Sequence, residues 1–279
     1  MKKISRRSFL TAAAVSAAAL ALTACGGSSS SASSVASSAA ASSEAASTSA
    51  AAAELTTVEA GKLTMATNAT FPPYEMTTDA GEIEGIDVDT AKAIAEKLGL
   101  ELQIDDMDFD AALLSVQQGK ADIVMAGVTV TDERKAVMDF SDSYATGIQS
   151  IIVPEGSDIA SPDDLAGKKI GTQRGTTGYI YCSDDFGDEN VVAYDNGLTA
   201  VQALNNGQVD AVVIDNAPAQ EFVAANPGLK VLDTSYAEED YAIGMAKGSS
   251  LESAINAALE ELKADGTLQS IVDKYITAE

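Results

Sequence analysis

Apolar residues recur at two different spacings after about residue 58, and the changes between these spacings predict a series of helices and strands. In residues 88–98 they recur at helical spacing, and Gly99 follows where a helix would end. Residues 100–104 alternate as a strand does, whereas residues 121–130 form the largely apolar run of a buried strand. Further strands are predicted at 62–67, 148–153, 169–172, 191–194, 209–214 and 241–246, and further helices at 111–118, 176–182, 198–205, 217–225, 251–264 and 267–274. Strands that alternate with helices predict parallel α/β sheets covered by helices on both faces.

One local pattern occurs once in each half of this region. Residues 116–125 and 203–213 both contain a helix end, a glycine, two further residues, an aspartate and a buried strand. This connection is common in α/β proteins, so by itself it does not establish a duplication. Two lobes of similar architecture would nevertheless require that the pattern occurs once in each half. The carboxyl ends of their strands would then lie on either side of a shared cleft.

The N-terminal segment has a different composition. Residues 1–7 carry four bases and no acid, and residues 9–24 form an apolar run that is short for a membrane span but typical of a signal-peptide core. We therefore expect a signal peptide at residues 1–24. Residues 5–10 also resemble a twin-arginine export signal, so the export route stays open. Residues 26–57 consist mostly of Ser, Ala, Gly and Thr, which predicts a flexible tether with little to bury.

The charge and the cysteine count exclude several classes of function. The chain has 42 acids and 17 bases, and removal of the four bases of the expected signal leaves a formal charge of 13 − 42 = −29. Such a chain is poorly suited to bind nucleic acid or an anionic membrane surface. It contains no histidine and two cysteines, Cys25 and Cys182. No Cys/His metal set or histidine-based triad can be assembled, and we expect neither a metal nor a cofactor.

The segment 107–144 contains residues that suit the binding of a small carboxylate. A loop of small residues, 126–129, leads to a lone arginine, Arg134. Backbone N–H groups, the Thr129 hydroxyl and a guanidinium that bonds bidentately are all suitable donors. The alternative for Arg134 is a surface ion pair with Asp132 or Glu133. The glycine-rich segment 171–178 lacks the spacing and the lysine of a phosphate-binding loop, and its N–H groups also suit a carboxylate.

These features resemble the extracellular solute-binding proteins of family 3, which serve ABC importers of polar amino acids. Besides 107–144, the resemblance rests on the order and spacing of motifs at 85–89, 140–144, 167–171, 175–178, 209–215 and 265–267. It implies a two-lobed, periplasmic-binding-protein-like fold of type 2 (a venus flytrap), in which each lobe is a mostly parallel sheet flanked by helices. Lobe 1 would comprise residues 58–150 and 246–279, and lobe 2 residues 151–245. Strands near Ile151 and Tyr241 would form the hinge.

The resemblance also implies roles for individual residues. Arg134 would bind the ligand α-carboxylate together with Thr129 and with Thr177 of lobe 2. Asp215 would bind the α-ammonium, with a helix cap as the alternative role. Gly127 and Val128, in the small-residue loop 126–129 (the binding loop), would offer backbone groups. The complete set of expected ligand-binding residues is Asn68, Phe71, Phe109, Gly127, Val128, Thr129, Arg134, Gln173, Thr176, Thr177 and Asp215.

The same resemblance implies what surrounds the ligand side chain. Phe71 and Phe109 would stack on it, whereas Tyr74 belongs to the core. Asn68 stands where relatives that bind lysine or arginine often have an acid, which argues against a basic ligand. Gln173 and Arg174 lie at the edge of lobe 2, where Arg174 could bind an acidic ligand or face solvent.

Residues 22–25 resemble the lipobox of bacterial lipoproteins, in which the signal is cut before the cysteine and its sulfur carries a diacylglyceryl group. The chain is therefore expected to be an extracytoplasmic, lipid-anchored monomer, held to the membrane through Cys25 and a tether over residues 25–57. It would deliver a polar amino acid to the membrane permease of an ABC importer. Two alternatives stay open: a dehydratase on the same fold, with Glu75 as the general acid, and a solute sensor or adhesin.

Overall fold

The computed structural model describes residues 55–276. The predicted signal peptide, the predicted lipidation at Cys25 and all but the last residues of the predicted tether lie outside this range. Within it, no helix combines the length and the apolar character that a membrane span needs.

The first part of the described chain forms β1 (Lys62–Thr67), β2 (Thr70–Phe71), β3 (Glu75–Thr77), β4 (Ile83–Glu84), α1 (Ile86–Leu98), β5 (Glu101–Asp106), α2 (Phe109–Gln117), β6 (Ile123–Val124), α3 (Asp132–Val137) and β7 (Met138–Phe140). The middle part forms β8 (Ala145–Pro154), β9 (Ile170–Gln173), α4 (Thr177–Phe186), β10 (Val191–Tyr194), α5 (Gly197–Asn205), β11 (Ala211–Asp215), α6 (Asn216–Ala225), β12 (Leu229–Val231) and β13 (Ala237–Tyr241). The last part forms β14 (Gly244–Ala246), α7 (Glu252–Ala264) and α8 (Thr267–Tyr275). Short 3₁₀ turns lie at Pro162–Leu165 and Asp188–Asn190.

These strands form two large sheets. We call the first sheet with its helices lobe 1, and the second sheet with its helices lobe 2. The lobe 1 sheet has the order β5-β1-β6-β14-β7, and the lobe 2 sheet the order β10-β9-β11-β8-β12, with β13 also paired to β8. A small sheet, β2-β3-β4, accompanies lobe 1. The chain crosses between the large sheets at residues 141–144 and again at 242–243. Both crossings precede the limits expected at residues 150 and 245.

Both large sheets are mixed rather than mostly parallel. β1 is parallel to β5 and β6, and β9 is parallel to β10 and β11, as the strand–helix alternation predicts. The remaining pairs, such as β8 with β13, are antiparallel. The reason is the two crossings: β8 carries the chain into lobe 2 and β13 carries it back, so these neighbouring strands run in opposite directions.

Each lobe has its own apolar core, built by the faces that the sequence pattern predicts. In lobe 1, Met65 of β1 packs with Ile94 of α1 and Ile255 of α7, and all three side chains are fully buried. Burial of one such side chain contributes about 1.5–3 kcal/mol. Helix α1 ends at Gly99, whose φ of 69° lets its N–H reach the carbonyls of Ala95 and Glu96.

The predicted strand at 121–130 forms only at β6, and this difference shapes the cleft. The strand does not continue to residue 130, because Gly127 adopts a φ of +55° that a strand does not allow. Thr129 then pairs with Tyr241 in an isolated bridge. The short helix α3, which the sequence pattern did not predict, begins next, and the Thr131 hydroxyl caps it by accepting the Arg134 N–H at 3.2 Å.

Candidate functional site

A small cavity lies between the two lobes, at the carboxyl ends of β1, β9 and β11. Its volume is about 30 Å³, the space of a single water molecule. The lining residues are Asn68, Phe71, Phe109, Ala126, Gly127, Thr129, Arg134, Gln149, Gln173, Thr176, Thr177, Val213, Ile214, Asp215 and Tyr241. The structure thus brings every sequence-predicted ligand residue except Val128 to one cavity.

Arg134 enters the cavity from lobe 1 and is only 9% exposed. The cap at the start of α3 fixes its backbone, and its guanidinium lies 5.4 Å from the centre of the Phe109 ring. One nitrogen donates to the Thr129 carbonyl at 2.8 Å, and the other donates across the cleft to the Gly175 carbonyl at 3.1 Å. Burial lowers the pKa of Arg134, and the charge of Glu239 opposes this shift. The described structure shows no ion pair of Arg134 with Asp132 or Glu133, so the surface ion pair does not explain this residue.

Asp215 approaches from lobe 2, where it ends β11 and begins α6. It caps α6 by accepting the Ala217 N–H at 3.1 Å, and its other oxygen accepts the Ile148 N–H at 2.7 Å. Both roles considered for this residue are therefore compatible: it caps the helix and also lines the cavity. Burial raises the pKa of Asp215 to about 6, although its two backbone hydrogen bonds favour the ionised form.

The Thr129 hydroxyl is at the centre of a second set of cross-lobe contacts. It lies 3.4 Å from the Thr177 hydroxyl of lobe 2 and donates to the Glu239 carboxylate at 3.0 Å. Gln149 of β8 donates to the same carboxylate oxygen at 3.0 Å. Gln149, Glu239 and Tyr241 were missed as site residues by sequence reasoning. The only available signal was that Tyr241 lies on a predicted hinge strand.

The other end of the cavity is lined by two neutral amides. The Gln173 side-chain NH₂ donates to the Oδ1 of Asn68 at 3.0 Å across the cleft, and the Asn68 NH₂ donates to the backbone carbonyl of Met107 at 3.0 Å. Phe71 and Phe109 form the apolar walls beside them. This end of the cavity therefore combines aromatic surface with hydrogen-bonding groups that carry no net charge.

Gly127 and Val128, which are expected to offer backbone groups to the ligand, already have backbone partners within the protein. The Val128 side chain is fully buried in the lobe 1 core, and its carbonyl accepts the Ala242 N–H at 3.1 Å. The structure therefore turns Val128 away from the cavity. Gly127 does line the cavity, but its N–H already donates to Asp87 at 3.0 Å. The loop lies against neighbouring segments on both sides, which the local sequence does not indicate.

Three further candidates lie away from the cavity. Tyr74 is buried against Phe71 and Tyr241, in agreement with its predicted core position. Arg174 has a side chain that is 57% exposed and weakly paired with Asp195 at 3.7 Å, so it faces solvent. Glu75, the proposed acid of the dehydratase alternative, is fully buried and does not line the cavity. In residues 55–276, no cluster of three or more metal-ligating side chains is present.

A cavity between two α/β lobes, with a buried cation on one wall and a carboxylate on the other, defines a bilobal solute-binding protein. The sequence model of the bacterial extracellular solute-binding proteins, family 3, matches residues 63–278, and the chain belongs to this family. Members of this family are extracytoplasmic. The expected family and the two-lobed α/β fold class are confirmed.

Individual relatives give the same result. The L-cystine-binding protein TcyJ of Escherichia coli (strain K12) is 33% identical over 226 residues, which cover 79% of this chain and 85% of the relative. The solved structure of the arginine-, lysine-, histidine-binding protein ArtJ from Geobacillus stearothermophilus is similar with a TM-score of 0.75 at 35% identity, covering 78% of this chain and 96% of that one. An ancestral arginine-binding protein bound to glutamine has a TM-score of 0.75 at 44% identity, covering 78% and 99%. These relatives are substrate-binding transport proteins and not enzymes, which removes support from the dehydratase alternative.

Proposed function

We propose that this protein captures a polar amino acid between its lobes and delivers it to the permease of an ABC importer. The placement of Arg134 and Asp215 carries the proposal: two opposite charges, both buried, line one cavity from different lobes. An α-amino acid presents one carboxylate and one ammonium, so each buried charge gains a partner when the ligand binds. Among the described residues, neither side chain takes part in a salt bridge that would already satisfy it.

Binding requires the lobes to separate and then close. A cavity of about 30 Å³ cannot contain an amino acid. Direct cross-lobe contacts such as Arg134 with Gly175 and Asn68 with Gln173 must therefore break to admit the ligand. A ligand that then contacts both lobes stabilises only the closed arrangement, because the open one offers it half of these contacts. Delivery would follow when the closed form docks on the permease.

The side chain of the ligand is proposed to be neutral and hydrogen-bonding, of the glutamine class. Asn68 and Gln173 together offer donors and acceptors but no charge, so a cationic group would lose its hydration without gaining a counter-charge. The neighbouring Phe71 and Phe109 suit the apolar stem of such a ligand. Ancestral arginine-binding relatives are solved with glutamine as well as with arginine, so a cleft of this kind admits a neutral side chain, and the amides of Asn68 and Gln173 carry the assignment.

Anchoring through Cys25 is a separate part of the proposal and rests on the lipobox resemblance of residues 22–25. In Cys25→Ser the lipid attachment point is lost, so the protein should move from the membrane fraction to the soluble fraction. Cys182→Ser is the matched control, because Cys182 is buried in lobe 2. Retention of Cys25→Ser in the membrane fraction would contradict the lipid anchor.

A thermal-shift screen tests the ligand assignment. The full chain is unfolded and refolded to remove bound solutes and then tested against the twenty amino acids, cystine and small dicarboxylates. A ligand at about 100 times its Kd should add about 2.7 kcal/mol of stability. Stabilisation by L-glutamine but not by D-glutamine is the expected result. Stabilisation by L-arginine alone would refute the neutral side chain, and a flat screen with folded protein would refute amino-acid binding altogether.

A further inference from the structure

Two carboxyl groups are buried together in lobe 1, directly behind the wall of the cleft. Glu75 of β3 and Asp87 of α1 are both 0% exposed. None of the salt bridges in the described part of the chain involves either group. Neither oxygen of Glu75 receives a hydrogen bond from any N–H or hydroxyl group there. A buried polar group without a partner is costly, so this pair needs a physical explanation.

Asp87, in contrast, has a donor on each oxygen. One oxygen accepts the Gly127 N–H at 3.0 Å, and the other accepts the Tyr144 hydroxyl at 2.7 Å. Gly127 belongs to the loop that lines the cavity, whereas Tyr144 lies in the segment 141–144 through which the chain crosses to lobe 2. A single carboxylate thus connects the binding loop to one of the two crossing segments.

The backbone N–H of Asp87 donates to the carbonyl of Tyr74 at 2.9 Å, which places Asp87 beside the segment that carries Glu75. Two neighbouring ionised carboxylates away from water would repel each other strongly, so one of them stays protonated. The two donors on Asp87 favour its ionised form, and Glu75 has no such donor. Glu75 is therefore the group that keeps the proton. The other titratable groups that face the pair are Asp106, Tyr74 and Tyr144.

The titration of both groups agrees with this arrangement. Burial, and next the charge of Asp87, raise the pKa of Glu75 well above its usual range. Burial also raises the pKa of Asp87 to about 6, and the hydrogen bonds from Gly127 and Tyr144 limit this shift. When the pair carries a single negative charge, that charge therefore lies on Asp87.

We propose that Asp87 is a positioning residue that holds the Gly127 loop against the Tyr144 crossing segment, and that Glu75 supplies the proton that allows Asp87 to be buried. The effect on ligand affinity rests on the proposed function. The protonation of Glu75 and the attachment of the loop do not, because both are properties of the protein without ligand.

Infrared spectroscopy of the full chain at pH 8 tests the protonation of Glu75. The unmodified protein should show the C=O band of a protonated carboxyl group. Glutamine keeps a hydrogen-bond donor beside Asp87 but has no carboxyl group, so Glu75→Gln should lose this band. Glu82→Gln is the matched control, since Glu82 is an exposed acid close to β3. An absent band, or a band that persists in Glu75→Gln, would overturn the protonation of Glu75.

The pH dependence of unfolding gives a second measurement of the same proton. Since the folded state raises the pKa of Glu75, its contribution to stability is present below the ordinary value of 4.5 and is lost as pH rises through the folded value. The unmodified protein should therefore lose stability relative to Glu75→Gln as the pH increases above 4.5. Parallel curves for the two proteins would count against the proposal.

Amide hydrogen exchange tests the positioning role. Asp87→Ala removes both acceptor oxygens, so the Gly127 amide should exchange about tenfold faster or more. Asp87→Asn is the conservative variant and should keep most of the protection, because its amide oxygen can still accept the Gly127 N–H while its NH₂ group donates to the Tyr144 hydroxyl. Tyr144→Phe removes only the other contact and should leave the protection of Gly127 unchanged. Binding of the amino acid that the thermal-shift screen identifies should weaken about tenfold in Asp87→Ala. If the screen identifies none, the proposed function fails, and the exchange of Gly127 still decides the positioning role. Unchanged exchange in a folded Asp87→Ala protein would refute it.

Discussion

Removal of the Arg134 guanidinium provides the sharpest test of the binding site. In Arg134→Ala, the ligand carboxylate would lose a bidentate, charge-assisted partner inside a buried cavity. Loss of one partner of a buried, hydrogen-bonded charge pair costs about 2–5 kcal/mol. The Kd should therefore rise by a factor of about 30 to several thousand, since each 1.4 kcal/mol corresponds to about tenfold. Arg134→Lys keeps the charge but loses the planar fork, so an intermediate loss is expected.

Isothermal titration calorimetry with the amino acid identified by the screen measures this effect, and circular dichroism checks the fold. Arg174→Ala is the matched control, because Arg174 is a neighbouring arginine whose side chain faces solvent. This control should bind within about twofold of the unmodified protein, as expected of an exposed pair. If Arg134→Ala also binds within threefold and remains folded, Arg134 does not bind the carboxylate and the reasoning fails.

Three further predictions concern the loop, the specificity and the pH dependence of the site. In Gly127→Ala, an added Cβ would lie 2.9 Å from the Phe71 ring at a φ of +55°, so both stability and affinity should fall. Gly119→Ala, with a φ of +66° and no atom within 4 Å of the added Cβ, should lower only stability; equal affinity in both variants would contradict the crowding argument. Asn68→Asp should shift the preference from L-glutamine toward L-arginine, because it adds a carboxylate at the side-chain end of the cavity. An unchanged ratio of the two affinities would count against the proposed specificity. Finally, the pKa of Asp215 near 6 means that affinity should fall about tenfold between pH 7 and pH 5, because the ammonium binds the ionised form.

Asp215 should affect stability and affinity in opposite directions: affinity falls as the pH is lowered, whereas the stability of the protein without ligand rises. Because the folded state raises the pKa of Asp215 above its ordinary value of 3.8, its contribution to stability is lost as pH rises from 3.8 through about 6. Unfolding without ligand and titration with ligand at the same pH values separate the two effects. The Asp215→Asn variant should lose most of the pH dependence of affinity, and retention of that dependence would assign it to another group. Its stability should keep the pH dependence that Glu75 and Asp87 contribute and lose only the part that comes from Asp215.

Much of the local structure is determined within short stretches of sequence. The sequence correctly predicts β1, whose residues 63–67 are buried on both faces, and α1, whose apolar residues recur at helical spacing because one face of the helix is buried. Arg134 and Asp215 could also be selected from the sequence. Each lies next to a local signal, a small-residue loop for one and the end of a buried strand for the other.

The tertiary structure decided which distant residues share the cavity. Asn68 and Gln173 are separated by 105 positions, and Thr129 and Glu239 by 110, yet each pair is hydrogen-bonded. No local pattern marks such a pair, because the distance between its members depends on how two lobes pack and not on either segment alone. Tertiary packing likewise turned Val128 into the core and made the sheets mixed, since the two crossings place outgoing and returning strands side by side.

The buried pair of Glu75 and Asp87 shows the same division. From the sequence alone, Glu75 and Asp87 are only two acidic residues, a type that is usually exposed to water. Only the folded chain buries both completely and brings the Gly127 N–H and the Tyr144 hydroxyl to Asp87. The charge state of a carboxyl group depends on its surroundings in three dimensions, and for this pair those surroundings come from segments far apart in the chain.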